Sequence, residues 1–219
     1  MLRALFEKTG NAIYISHLDL MRVFQRAFKR ADLHLTHTKG YNPRPSVSIA
    51  MPLSLGVESH CELLDFELEG EEIPAEEIKK RLNAALISGI KVLEIYHDMS
   101  KLKNLALLEC ALMLEYDHGI PLNAEKQIAE LFSQDEVVVE KKGKNGVTEQ
   151  NIIPMIRRMS VNRLNESELI LTALISCQNP SLNPMQLSLA ITKYLPDIAP
   201  DFVRCSRLEV FDTNENVFR

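Results

Sequence analysis

Chemistry-bearing residues crowd into one stretch of the chain, Tyr14 to Gly56, YISHLDLMRVFQRAFKRADLHLTHTKGYNPRPSVSIAMPLSLG. It holds His17, His34 and His37, and His60 follows closely. An imidazole beside an RNA 2′-hydroxyl can act as a general base without a metal, so His17 and His37, with Tyr41, are candidate catalytic groups. The plainer alternative is that these polar residues close loops through hydrogen bonds. His34 and His37 stand three apart, which on a strand places them on opposite faces, and no carboxylate sits at metal-ligand spacing. No metal and no cofactor are therefore expected.

The second chemistry is electrostatic. At 100° per residue, Arg22, Arg26, Lys29 and Arg30 fall on one side of a helix, away from Leu20, Met21, Phe24, Ala27, Phe28 and Ala31. None of the four has an acid at i±4 to neutralise it. Just beyond lie Lys39, Tyr41, Asn42 and Arg44. Phosphates need cations along one surface, and an exposed aromatic offers a base something to stack on, so these eight residues are candidate nucleic-acid contacts. A cationic patch suits an acidic protein partner equally well. GxxxxGK[ST], GxSxG, HExxH and GxGxxG do not occur, which removes the usual support for nucleotide hydrolysis, acyl transfer and zinc proteolysis.

The elements that must carry these residues follow from periodicity and punctuation. Leu2 to Lys8 reads as a strand, extended by Ala12 to Ile15 after a turn at Gly10-Asn11. Ser16 is an N-cap for a helix from His17, with Asp19 three residues on. Leu33 to Thr38 alternates like a short strand, and the Gly/Pro-punctuated Lys39 to Pro45 is a loop. Strands at Ser46 to Met51 and His60 to Leu68, a helix with Pro74 at N1, and a strand at Ile90 to Tyr96 complete a β-α-β-β-α-β order. After a linker at His97 to Asn104 the same syntax repeats. Strands are expected at Leu105 to Tyr116, Glu136 to Lys142, Leu169 to Cys177 and Val203 to Phe211. Helices are expected at Asn123 to Phe132 and from Pro184 at N1 to Leu195. Gly143 to Gly146 reads as a turn. Asn151 to Leu164 is ambiguous, with its apolar spacing allowing a short helix. The fold expectation is α+β, two tandem ferredoxin-like domains with antiparallel sheets, residues 1–100 and 101–219. The first carries the basic helix and the Gly40 to Pro45 loop.

Composition agrees with an ordinary globular protein: 46% hydrophobic and 25% charged residues are enough to build cores. Net charge is −5, yet residues 1–45 hold eight Lys/Arg against three acids, a local +5 that leaves −10 for the rest. Such asymmetry points to a basic site on an acidic body, or to a solvated helix face arising by chance. Cys61, Cys110, Cys177 and Cys205 are too scattered for a metal pair and read as buried, reduced thiols. The N-terminus begins at once with a strand-like segment, and runs such as Leu105 to Leu108 are far too short to span a bilayer. A cytoplasmic protein without membrane contact is expected.

At these residues a family resemblance enters. Tyr14-Ile15-Ser16-His17-Leu18-Asp19-Leu20-Met21-Arg22, then Phe24, Arg26, Ala27 and Arg30, then Gly40-Tyr41-Asn42-Pro43-Arg44-Pro45 and Pro52-Leu53-Ser54-Leu55-Gly56-Val57-Glu58-Ser59 resemble the radical SAM-linked family, a DUF2344 domain. The resemblance is dense over residues 1–68 and looser beyond. It departs from the family's Asp-Ile-Arg-Pro segment, where Asn151-Ile152-Ile153-Pro154 lacks the charged pair. What it implies is a radical SAM protein as partner. The chain has no CxxxCxxC, so it would not cleave S-adenosylmethionine itself. The functional expectation is a non-catalytic accessory protein that binds RNA through the basic helix and the loop. The alternatives are a docking subunit for a radical SAM enzyme and a metal-independent ribonuclease of tandem ferredoxin-like type using His17 or His37.

Overall fold

The computed structural model describes residues 1–70, 72–97, 100–143, 146–178 and 180–219. It divides into two compact units, Met1–Leu102 with Arg219, and Lys103–Phe218.

In the first unit the elements are β1 (Leu2–Lys8), α1 (His17–Arg30), β2 (Val47–Ile49), β3 (Val57–Phe66), α2 (Ala75–Ala85) and β4 (Ile90–His97). The strands lie in the order β4-β1-β3-β2, each neighbouring pair antiparallel. One face of β1, β3 and β4 (Ala4, Phe6, Leu64, Phe66, Val92) packs with Leu20, Phe24, Ala27 and Phe28 of α1 and Ile78 and Leu82 of α2. Phe6 meets Phe24 edge to face at 4.8 Å, and Phe28 lies 4.9 Å from Phe66. Burying each such Phe or Leu stabilises the fold by about 1.5–3 kcal/mol.

Both ends of α1 are set by local chemistry. The Ser16 hydroxyl accepts from the Asp19 amide and donates to the Asp19 carboxylate at 2.7 Å, satisfying one of the helix's free first-turn donors. At the other end Asp32 takes a left-handed φ of 55°, and the Leu33 amide reaches back to the Phe28 carbonyl at 3.0 Å. That 6→1 bond, with Leu33 buried beside Phe28, is a Schellman stop with aspartate in place of glycine.

The alternate positions of β1 and β3 are buried as well. Arg3 is fully enclosed, its Nε and Nη2 held by the two Asp65 carboxylate oxygens at 2.6 and 3.0 Å and its Nη1 by the Ser100 carbonyl. Lys8, also buried, donates to the carbonyls of Ile13 and Ile15. This bonding pins residues 10–14 as a 3₁₀ turn, entered through Gly10 at φ +53°, where the sequence suggested a strand extension. Two of the eight N-terminal cations are thus structural, and the local basic surface is smaller than the tally implied.

Leu33 to Thr38 does not form the expected strand. It makes single bridges, Leu35 to Leu68 and His37 to Pro45, because the chain turns back at the Gly/Pro loop before a ladder can grow. Pro74 is the N-cap of α2 rather than its first residue, and Pro184 plays the same part for the last helix. Of the expected linker at His97 to Asn104, Asp98 and Met99 lie outside the described residues.

The second unit contains β5 (Leu107–Glu115), α3 (Ala124–Phe132), β6 (Val138–Gly143), β7 (Gly146–Asn151), β8 (Ile156–Arg163), β9 (Glu168–Ser176), α4 (Met185–Tyr194) and β10 (Phe202–Phe211). Its main strands run β10-β5-β9-β8, all antiparallel, while β6 and β7 pair only with each other. The strand at Glu136 to Lys142 is therefore one arm of an inserted hairpin, and the second strand of the β-α-β-β-α-β order is β8. Within residues 151–164, Asn151 ends β7, Ile153–Met155 make one 3₁₀ turn and Ile156–Arg163 form β8 rather than a helix, because they zip antiparallel onto β9. Lys144 and Asn145, in the expected turn of the hairpin, lie outside the described residues.

All four cysteines are free thiols, with Cys61, Cys110 and Cys205 buried and Cys177 partly so. Burial pushes Cys110 far up and raises Cys177 and Cys205 to about 11.

Candidate nucleic-acid or partner interface

The polar face of α1 is open. Arg22, Arg26, Lys29 and Arg30 are all exposed, as their positions opposite Leu20, Phe24 and Ala27 require. They are not equivalent. Arg22 pairs with Asp19 at 2.8 Å, one turn earlier, and the Ser16 hydroxyl first, then Arg22, hold the Asp19 carboxyl below its ordinary value. Arg30 donates from Nη2 to the Ala85 carbonyl at 2.6 Å, capping a free acceptor at the end of α2. Arg26 and Lys29 make no ion pair among the described residues, though the Arg26 charge also reaches Asp19. Fewer cations are idle than the i±4 spacing suggests, because an i−3 carboxylate holds Arg22 and a neighbouring helix end holds Arg30.

The loop after α1 is clasped at its base. The Thr38 amide donates to the Arg44 carbonyl at 2.8 Å, and the Arg44 amide donates back to the Thr38 hydroxyl at 3.0 Å. Beyond the clasp Lys39, Tyr41, Asn42 and Arg44 are exposed, and Tyr41 has 107% relative exposure, a side chain that touches nothing. No ion pair involves Lys39 or Arg44 among the described residues.

α1 begins after Lys8, the end of β1, and runs back along the strand. The Thr36 and Ser46 segments flanking the loop bond to Glu67 and to each other, beside the Leu2–Phe66 pair at the start of β1. The last turn of α1 is tied by Arg30 to the C-terminal end of α2, and the stripe from Arg22 to Lys29 is about 10 Å long.

The histidines do not converge. His17 opens α1, half-buried, with Nδ1 enclosed and without a partner among the described residues. His37 is exposed, its Nδ1 3.8 Å from Glu69. They sit at opposite ends of β1, whose seven residues span roughly 20 Å. His34 faces Asp32 at 3.2 Å and His60 faces Glu7 at 3.5 Å, each with its own carboxylate. Among the described residues no three of His, Cys, Asp or Glu gather as a cation site.

The model of one protein family matches residues 1–184, its description being "Uncharacterized protein conserved in bacteria (DUF2344)". The chain belongs to the DUF2344 family. That match takes in the whole of the α1 face and the clasped loop of this DUF2344 chain. No curated protein matches it. Solved structures resemble it at low identity. One is a Cbf5-Nop10-Gar1 complex, 10% identical at TM-score 0.48, the match covering 94% of this chain and 48% of that one. A second is an H/ACA RNP bound to a substrate RNA containing 2′-deoxyuridine, 8% identical at TM-score 0.49, covering 94% and 46%. A third, an unknown protein from Galdieria sulphuraria, is 8% identical at TM-score 0.26, covering 94% and 96%. The DUF2344 chain spans about half the length of the first two, and at these scores the likeness carries no functional argument. No described helix is long and apolar enough to cross a membrane.

Proposed function

We propose that this DUF2344 chain is a non-catalytic, cytoplasmic accessory protein of a radical SAM system that binds RNA through α1 and the clasped loop. We read its two units as tandem ferredoxin-like domains, residues 1–100 and 101–219, since both have two helices between four main strands in a 4-1-3-2 order. The observation that carries the function is the pairing of idle cations with an untouched aromatic. Arg26 and Lys29 supply charge for phosphates, and Lys39 and Arg44 flank a Tyr41 ring free on every side. Arg22, Arg30 and Asn42 complete the surface. A stacked base contributes about 1–3 kcal/mol, and each phosphate contact adds a salt-dependent term.

The test is binding of a labelled single-stranded RNA and a tRNA in about 50 mM salt. Wild-type protein binds, and Tyr41→Ala weakens binding roughly tenfold or more. Absence of binding at that salt overturns the reading.

A protein-docking role has its own supporting observation. Tyr14, Leu18 and Leu55 are 70%, 69% and 63% exposed, and the Gly56 amide bonds to the Ile13 carbonyl, which ties their segments together. This patch lies at the α1 N-terminus and suits a partner such as the radical SAM enzyme. Co-purification with that enzyme, lost in Leu18→Glu without loss of RNA affinity, supports docking there. The ribonuclease reading has the least support, since His17 and His37 are too far apart to act on one phosphodiester.

A further inference from the structure

We propose that the groove between α4 and β6 is a binding site for a small organic anion, a carboxylate or phosphate head on an apolar body. The site is independent of the α1 surface. Gln186, Leu189 and Lys193 stand at i, i+3 and i+7 on one side of α4, and Val139 and Lys141 at i and i+2 on one side of β6. They enclose a cavity of about 630 Å³, within the range that small-molecule sites occupy.

Three features define the ligand. Gln186 is buried (6% exposed), and the Asn183 amide donates to its Oε1 at 3.0 Å, which fixes the orientation of the side-chain amide. Its Nε2 is left with no acceptor among the described residues. A buried donor without a partner is costly, and an acceptor brought by a ligand relieves that cost. Next, both lysines are held by the main chain at the rim. Lys141 Nζ donates to the Ser181 carbonyl at 3.1 Å and Lys193 Nζ to the Val138 carbonyl at 3.0 Å. Each ammonium keeps two further N–H groups for a ligand. Against them stands the exposed Glu140, so the lining is net positive. Finally, Val139 forms an apolar floor and Leu189, 54% exposed, an apolar wall that water covers poorly. The donors of Gln186, Lys141 and Lys193 receive the anionic head, and the apolar body lies against Val139 and Leu189.

The test uses the full chain and follows the Gln186 side-chain NH₂ by proton–nitrogen NMR during titration with 3-phenylpropionate, 2-phenylethyl phosphate and the neutral 3-phenylpropan-1-ol. At least one anion shifts that resonance saturably and binds about tenfold or more tighter than the alcohol. The tighter of the two anions identifies the head group. Lys141→Gln/Lys193→Gln, with its fold verified by an otherwise unchanged amide spectrum, weakens the anion at least tenfold. Failure of both anions to shift Gln186, equal binding of the alcohol, or an unaffected double variant overturns the proposal.

Discussion

Salt dependence is the sharpest measure of the α1 surface, because the structure distinguishes idle cations from committed ones. Arg22 is spent on Asp19 and Arg30 on the Ala85 carbonyl, while Arg26, Lys29, Lys39 and Arg44 have no ion-pair partner among the described residues. Four phosphate contacts on a single strand release counterions with a slope of log K against log salt of about −0.7 each, or about −3 together. Affinity should then fall about fiftyfold between roughly 50 and 200 mM KCl. Arg26→Ala/Lys29→Ala removes half of these contacts, so its slope drops to about −1.4 and the same change in salt costs only about sevenfold. Fluorescence anisotropy with a labelled single-stranded RNA measures both lines. A wild-type slope shallower than about −1, or a double variant with the wild-type slope, refutes the assignment of these side chains to phosphates.

Two further outcomes concern the scaffold. Asp65→Asn removes the charge that answers the enclosed Arg3 guanidinium and should destabilise the protein by about 3 kcal/mol in urea denaturation, whereas Arg3→Met/Asp65→Leu recovers most of the loss; a cost under about 1 kcal/mol would show the pair to be incidental. Cys177 and Cys205, raised from 9.0 to about 11, keep their protons in the fold where the unfolded chain would lose them. Stability is therefore complete below pH 9 and falls as pH rises through about 9–11, and the native thiols react slowly with a thiolate-selective reagent at pH 8; rapid labelling there contradicts their burial.

The order of elements in the first unit was legible because its signals are local. Ser16 caps the helix it announces, and Leu20, Phe24 and Phe28 mark the face that packs. The cationic face was visible for the same reason, and all of its residues are exposed. Misreadings arose where a partner distant in sequence decides. Nothing near Arg3 or Lys8 tells that Asp65, or the carbonyls of Ile13 and Ile15, will take them out of solvent. In the second unit, Asn151 to Leu164 has helical spacing in Ile152, Ile153, Met155, Ile156 and Met159, but the unpaired edge of β9 offers a ladder that outweighs it. The groove at Gln186 left no trace in the sequence, since a lone glutamine after Pro184 reads as ordinary helix surface.

The Thr38–Arg44 clasp has an evolutionary side. It is made from one backbone–backbone bond and one bond from a backbone amide to a hydroxyl, and the side chains of Lys39, Tyr41 and Asn42 beyond it are exposed rather than packed into the core. Apart from Gly40, whose φ of +146° disfavours any side chain, substitutions at the tip escape the packing penalty that limits change in the Phe6–Phe24 core. The loop's exposed side chains are thereby separable from folding: a lineage can rewrite them, residue by residue, while the domain beneath stays the same.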